Sequence, residues 1–227
     1  MQFAVRRILA VRRALIIRAK SEEILDNREE EMKIAITGGI GSGKSFVCRE
    51  LERHGIRVYD SDAAAKRLMR SDKPLQQSLC SLVGEDVYDA EGVLQKPVLA
   101  RFLLASEANK LAVNDVVHPA VARDFEQSDF DWLESAILFE SGFIHRTHFD
   151  FVVCVTAPEE VRIQRVMARD HIDRCRTLEW IHAQMSQAEV AARCDFEIVN
   201  DGKADVARQV NLLLERVEEC RKAAEKD

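Results

Sequence analysis

From Met32 onward, short apolar runs alternate with longer stretches in which apolar residues recur every three or four positions. "KIAIT" (33–37) predicts a strand, and "KSFVCRELERHG" (44–55) a helix that Gly55 stops. "IRVYD" (56–60) predicts a second strand. "SDAAAKRLMRS" (61–71) predicts a helix opened by Ser61 and Asp62, with Asp62 as its cap. Residues 74–128 carry no strand pattern; "PLQQSLCSLVG", "KPVLARFLLAS" and "EANKLAVNDVVHPAVARDFEQ" read as three helices. "WLESAILFE" (132–140) and "FDFVVCVTA" (149–157) are near-continuous apolar runs, the pattern of strands buried on both faces. "PEEVRIQRVMARD" (158–170) predicts a helix with Pro158 near its first turn, and "HIDRCR" (171–176) a polar break. "TLEWIHAQMSQAEVAARC" (177–194) predicts one helix, "DFEIVND" (195–201) a fifth strand, and the remainder a long charged helix.

Strands alternating with helices predict a five-stranded parallel sheet with helices on both faces, a three-layer α/β/α arrangement. The helices between strands two and three form an insertion, taken as about 61–128, and a lid is expected at about 165–187. Composition agrees with one globular domain: 47% of the 227 residues are hydrophobic and 32% charged. A formal charge of −6 gives no support to an extended nucleic-acid surface. The six cysteines, at 48, 80, 154, 175, 194 and 220, lack metal-ligand spacing and read as reduced thiols of a cytoplasmic protein.

Residues 1–31 differ from the rest. "MQFAVRRILAVRRALIIRAK" holds six basic residues and no acid, and its apolar runs reach only four residues, too short to span a bilayer. A targeting or membrane-surface amphipathic helix, a packing extension and an upstream start all fit. The last is preferred, because Met32 opens directly onto a strand and a glycine loop; the domain is taken as 32–227.

The chemistry starts in that loop. Gly38-x-x-x-x-Gly43-Lys44-Ser45 is the full P-loop pattern between a strand and a helix. Clustered phosphate charge needs many donors at short range, and backbone N–H groups supply them only where side chains stay clear, hence Gly38, Gly39, Gly41 and Gly43. Gly41, Ser42, Gly43, Lys44, Ser45 and Phe46 are therefore the candidate ATP-binding residues, with Lys44 on the terminal phosphates and the Ser45 hydroxyl on Mg²⁺. The Asn-Lys-x-Asp base-reading motif of regulatory GTPases is absent, and the third strand lacks the terminal Asp of motor and transport ATPases. A small kinase with an acceptor lobe and an arginine-bearing lid fits better. A nucleoside monophosphate kinase and a non-catalytic ATP-binding regulator remain as alternatives.

An ordered set of motifs narrows the choice. "TGGIGSGKS", "YDSDAAAKRLM", "VVHPAV", "ILFESG", "RIQRVMARD", "AQMS" and "FEIVNDG" run from Met32 to about Leu214, and together they resemble the dephospho-coenzyme A kinases. The resemblance implies transfer of the ATP γ-phosphate, with Mg²⁺, to the ribose 3′-hydroxyl of dephospho-coenzyme A, the last step of coenzyme A biosynthesis. It implies that Asp60 is the base for the acceptor hydroxyl, the alternatives being a helix cap or a residue behind Mg²⁺. It implies that Lys44 neutralises the transferred group. His118 matches the family's His-Pro pair near the acceptor, and Phe139 and Glu140 lie in the stretch beside it. The family's "D-x-P-L-L-F-E" is altered here to Glu134-Ser135-Ala136 before "ILFE", so Glu134 or Glu140 is a substitute for the expected aspartate. Arg165 and Arg169 match the lid arginines; the alternative is a solvated face paired with Glu159, Glu160 and Asp170. Trp180 stands where the family often has an arginine in "R-I-x-x-Q", with Arg174 or Arg176 as its replacement. Asn200 and Gly202 match the exit of the last strand, commonly near the adenine of ATP, the alternative for Asn200 being a turn residue.

Overall fold

The computed structural model describes residues 32–224. The expectations for residues 1–31 lie outside them. Five parallel strands, β1 (Ile34–Thr37), β2 (Val58–Asp60), β3 (Trp132–Glu134), β4 (Phe151–Thr156) and β5 (Phe196–Val199), form one sheet in the order β2-β3-β1-β4-β5. Helices α1 (Lys44–Arg53) and α9 (Val206–Ala224) cover one face. Helices α2 (Ser61–Ser71), α3 (Lys73–Val83), α4 (Lys96–Ala105) and α5 (Glu107–Glu126) intervene between β2 and β3, and their apolar residues form a second core on the other face. Helices α6 (Glu159–Asp170), α7 (Arg174–His182) and α8 (Gln187–Ala191) link β4 to β5.

The strand alternation explains why both faces are dry. Ile34 and Ile36 of β1 join the core under α1 and α9, while Ala35 between them joins the core under α2–α5. Val153 and Val155 of β4 repeat the first choice and Val152 the second. Because successive strands leave β1 toward one edge and β4 toward the other, the crevice at the C-terminal ends of these neighbours is a topological switch point. The glycine loop emerges there.

The sequence reading needs four corrections. The expected strand 132–140 ends at Glu134, with one further ladder bond from Ser135 N–H to the Ile36 carbonyl (2.9 Å). The apolar "ILF" that follows is buried by a turn instead: Leu138 is fully buried, Ser141 Oγ donates to the Ile137 carbonyl (2.6 Å), and Gly142 closes the turn at φ 65°. The expected helix 177–194 is two helices. Ser186 Oγ accepts from Glu189 N–H and Glu189 Oε2 accepts from Ser186 N–H, a reciprocal cap that starts α8 afresh. The polar break shortens to residues 171–173, because Asp173 accepts from Arg176 N–H (2.8 Å) and opens α7 early. Finally, Asp60 and not Asp62 caps α2, its Oδ1 accepting from Ala63 N–H (2.8 Å).

Candidate active site

A cleft of about 770 Å³ opens at the switch point, lined on one side by Gly41, Gly43, Lys44, Ser45 and Phe46 and on the other by Asp60, Asp62, Lys66 and Glu134. Arg165, Arg169, Gln184 and Asn200 close its flank.

The loop is shaped by what holds its carbonyls. Arg165 Nη1 donates to the carbonyls of Gly41 (3.3 Å) and Ser42 (3.1 Å), and Asn200 Nδ2 donates to that of Ser42 (3.0 Å). Arg165 Nη2 in turn donates to Asn200 Oδ1 (3.2 Å). One residue back, Arg162 Nε donates to the Ile40 carbonyl (2.8 Å), while Gln184 Oε1 accepts the Ile40 N–H (2.7 Å). With the carbonyls of residues 40–42 drawn toward α6 and the exit of β5, the following amides turn the other way. Among the described residues, the N–H groups of Gly41, Gly43, Lys44 and Ser45 have no acceptor. Four free donors at the N-terminus of α1 make an anion site that needs no rearrangement to work. Gly43 is indispensable to it: φ is 96°, and a Cβ there would run into Asn200 Nδ2. Ser42 is fully buried and its hydroxyl has no partner, so it serves through its backbone.

Lys44 Nζ donates to the Gly38 carbonyl (2.8 Å) and lies 3.5 Å from Glu134 Oε1. Burial pushes the Glu134 carboxyl above its usual range; Lys44 opposes the rise, and Asp60 and Asp62 add to it. Ser45 and Phe46 are exposed in the cleft, Phe46 with the Arg49 guanidinium 5.9 Å from its ring centre. Asp60 is exposed, with one carboxylate oxygen committed to the α2 cap. Hard oxygen donors from Ser45, Asp60 and Glu134 around one cleft fit Mg²⁺. Among the described residues no group of three or more His, Cys, Asp and Glu could hold a metal ion.

The other expected residues fall less evenly. Arg169 forms both bonds to Asp170 (2.9 and 2.7 Å) at the cleft rim, the alternative weighed for it. The alternative does not hold for Arg165, which is turned to the loop, nor are Glu159 and Glu160 its partners: they face His182 and Arg174. Glu140 Oε1 accepts Met185 N–H (3.0 Å) and so joins the "ILFESG" turn to the segment after α7. Phe139 lies under Arg193, 5.6 Å from its ring centre. His118 is partly buried, edge-on to Phe143 at 5.5 Å, and burial lowers its pKa. These last three do not line the cleft. Arg174 and Arg176, weighed as replacements for an arginine at Trp180, bind Glu160 and Glu179 and do not line the cleft. Sequence reasoning missed Arg162. Its signal was present: 162, 165 and 169 fall on one helical stripe, beside the buried Ile163 and Val166.

Comparison with known proteins agrees with this geometry. The dephospho-CoA kinase family model matches residues 32–205. A dephospho-CoA kinase of Bacteroides fragilis is 41% identical over 186 residues, covering 79% of this chain and 89% of the relative. That of Porphyromonas gingivalis is 39% identical over 191 residues, covering 81% and 93%. A crystal structure from Thermus thermophilus superposes with a TM-score of 0.66 at 33% identity, covering 83% of this chain and 96% of the other. The glycine loop, the carboxylates facing it and the extent of these matches place the chain in one group: it belongs to the dephospho-CoA kinase family.

Proposed function

We propose that the cleft phosphorylates the ribose 3′-hydroxyl of dephospho-coenzyme A, with ATP as the donor and coenzyme A and ADP as products. The observation that carries this reading is the opposition of Lys44 and the four free amides to Asp60 and Glu134 across one cleft. Such a site binds a polyphosphate on one wall and orients a hydroxyl on the other.

The residues divide the work accordingly. Amides from Gly41 to Ser45 hold the donor's β- and γ-phosphates, and Lys44 leaves the Gly38 carbonyl to follow the charge on the transferred group. Asp60 keeps one oxygen on the α2 cap and uses the other to accept the 3′-hydroxyl proton, so the cap fixes its direction. Ser45 and Glu134 are assigned to Mg²⁺, Ser45 directly; the ion supplies charge neutralisation between the phosphates. Arg165 and Asn200 shape the loop, and Arg169 leaves Asp170 to meet phosphate when the lid, about 165–187, closes. The helical segment about 61–128 is the acceptor lobe. His118, Phe139 and Glu140 are assigned to the acceptor side on the resemblance. The setting is cytoplasmic; no helix among the described residues is long and apolar enough to cross a membrane.

A panel of acceptors tests this. Dephospho-coenzyme A should be phosphorylated faster than AMP, CMP or dCMP at equal concentration. Faster turnover of any monophosphate, or ATP binding without acceptor-dependent ADP release, would overturn it.

A further inference from the structure

Arg162 is 4% exposed, its Nη2 is buried without a partner, and among the described residues no carboxylate lies within ion-pair distance of it. Its one bond is from Nε to the Ile40 carbonyl. The rest of the guanidinium lies against Gly39, where even a methyl group would collide with Nη2. Burial lowers its pKa, and Glu159 opposes this only in part. A buried cation with no counter-ion is costly, and removing a buried charge for an apolar group of similar size is commonly neutral or stabilising. Arg165, three residues on, is part-buried with both terminal nitrogens bonded, so the orphaned buried nitrogen sets Arg162 apart from it.

We propose that Arg162 is a positioning residue of the donor site whose buried charge is compensated by the bound triphosphate. It rests on the reading of the loop as the ATP site. Arg162 of α6 and Gln184, in the turn between α7 and α8, grip the carbonyl and the N–H of Ile40, which fixes the peptide units on either side of that residue where the loop begins. The positive charge stands directly behind that peptide. Lys44 approaches the phosphates from the cleft, whereas Arg162 acts from behind the loop without moving. Its effect therefore grows with the number of phosphates on the ligand and is absent for the nucleoside.

The test compares binding of MgATP, MgADP and adenosine by calorimetry in the full-length wild type, Arg162→Met, Arg162→Gln and Arg162→Lys, beside thermal melts of the ligand-free proteins. Arg162→Met should melt no lower than wild type when empty, yet bind MgATP roughly tenfold or more weakly, MgADP less affected and adenosine unchanged. Arg162→Lys should recover most of the MgATP affinity. A parallel loss for adenosine and MgATP would reduce Arg162 to a packing residue, and unchanged MgATP binding would remove its role altogether. If Arg162→Met fails to fold, Arg162→Gln decides: it is neutral and can reach Ile40, and wild-type MgATP affinity in it overturns the proposal. None of these readouts needs dephospho-coenzyme A, so failure of the acceptor assignment leaves the result interpretable.

Discussion

Asp60 and Glu134 are register partners, the last residues of adjacent parallel strands, and both line the wall that Lys44 faces. They are not equivalent, for Asp60 is exposed and caps a helix, whereas Glu134 is largely buried beside Lys44. Asn caps helices as well as Asp does, so Asp60→Asn removes the charge and keeps the cap. Its melting temperature should stay near that of the wild type while kcat falls about 10²–10⁴-fold, with the KM for ATP little changed. An equal loss in kcat and in ATP affinity counts against a base.

Lys44→Ala removes the cation nearest the transferred group. Phosphorylation in a coupled ADP-release assay should drop about 10²–10³-fold. Equilibrium binding of MgADP should suffer less, since all four free amides, that of residue 44 included, remain. Retention of half the activity would show that another group follows the charge.

Glu134 gives a pH signature. Its folded pKa lies above the unfolded value of 4.5, so the folded protein holds this proton more tightly than the unfolded chain. Its contribution to stability is present below that value and is lost as pH rises through the folded pKa. Glu134→Gln behaves like the protonated residue, so its melting temperature should equal that of wild type near about pH 4 and exceed it at about pH 8. A lower melting temperature for the variant at the higher pH would mean that the Lys44 pair outweighs burial.

Arg165→Lys retains a positive charge and loses the fork that binds two loop carbonyls and Asn200 at once. The KM for ATP should rise about tenfold or more, because the free amides are no longer held in one orientation. Protection from hydrogen exchange of the Ile40 and Ser42 amides, which have acceptors in the loop, should fall in parallel. An unchanged exchange pattern would separate Arg165 from loop geometry.

The sheet was legible because β1 and β4 are apolar runs ended by Gly38 and by Pro158, and the donor site because its glycine pattern serves a backbone function. The third strand was misjudged at its end: a buried turn such as Ile137–Ser141 is as apolar as a buried strand, and periodicity does not separate them. The break at Ser186 was readable as Ser-x-x-Glu, yet the surrounding helical periodicity masked it. The cap was misassigned because Asp60 and Asp62 are both good capping residues, and only backbone geometry decides which one is placed to act. Arg162 was hidden for a different reason. An arginine in a helix rich in charge reads as a solvated residue; the stripe it shares with Arg165 and Arg169 marks the face, but only the position of α6 beside the loop buries it.

Because Gly39 and the Arg162 guanidinium occupy adjoining space, position 39 is not free to gain a side chain while arginine stands at 162. A side chain at 39 requires a shorter one at 162, and a long cation at 162 requires glycine at 39. The second glycine of "GGIGSGKS" is thus one half of a steric couple spanning 123 positions of sequence. Across relatives a side chain at 39 should appear only where 162 is no longer arginine, whereas 162 can shorten over a glycine, a one-way dependence in where the donor site keeps its charge.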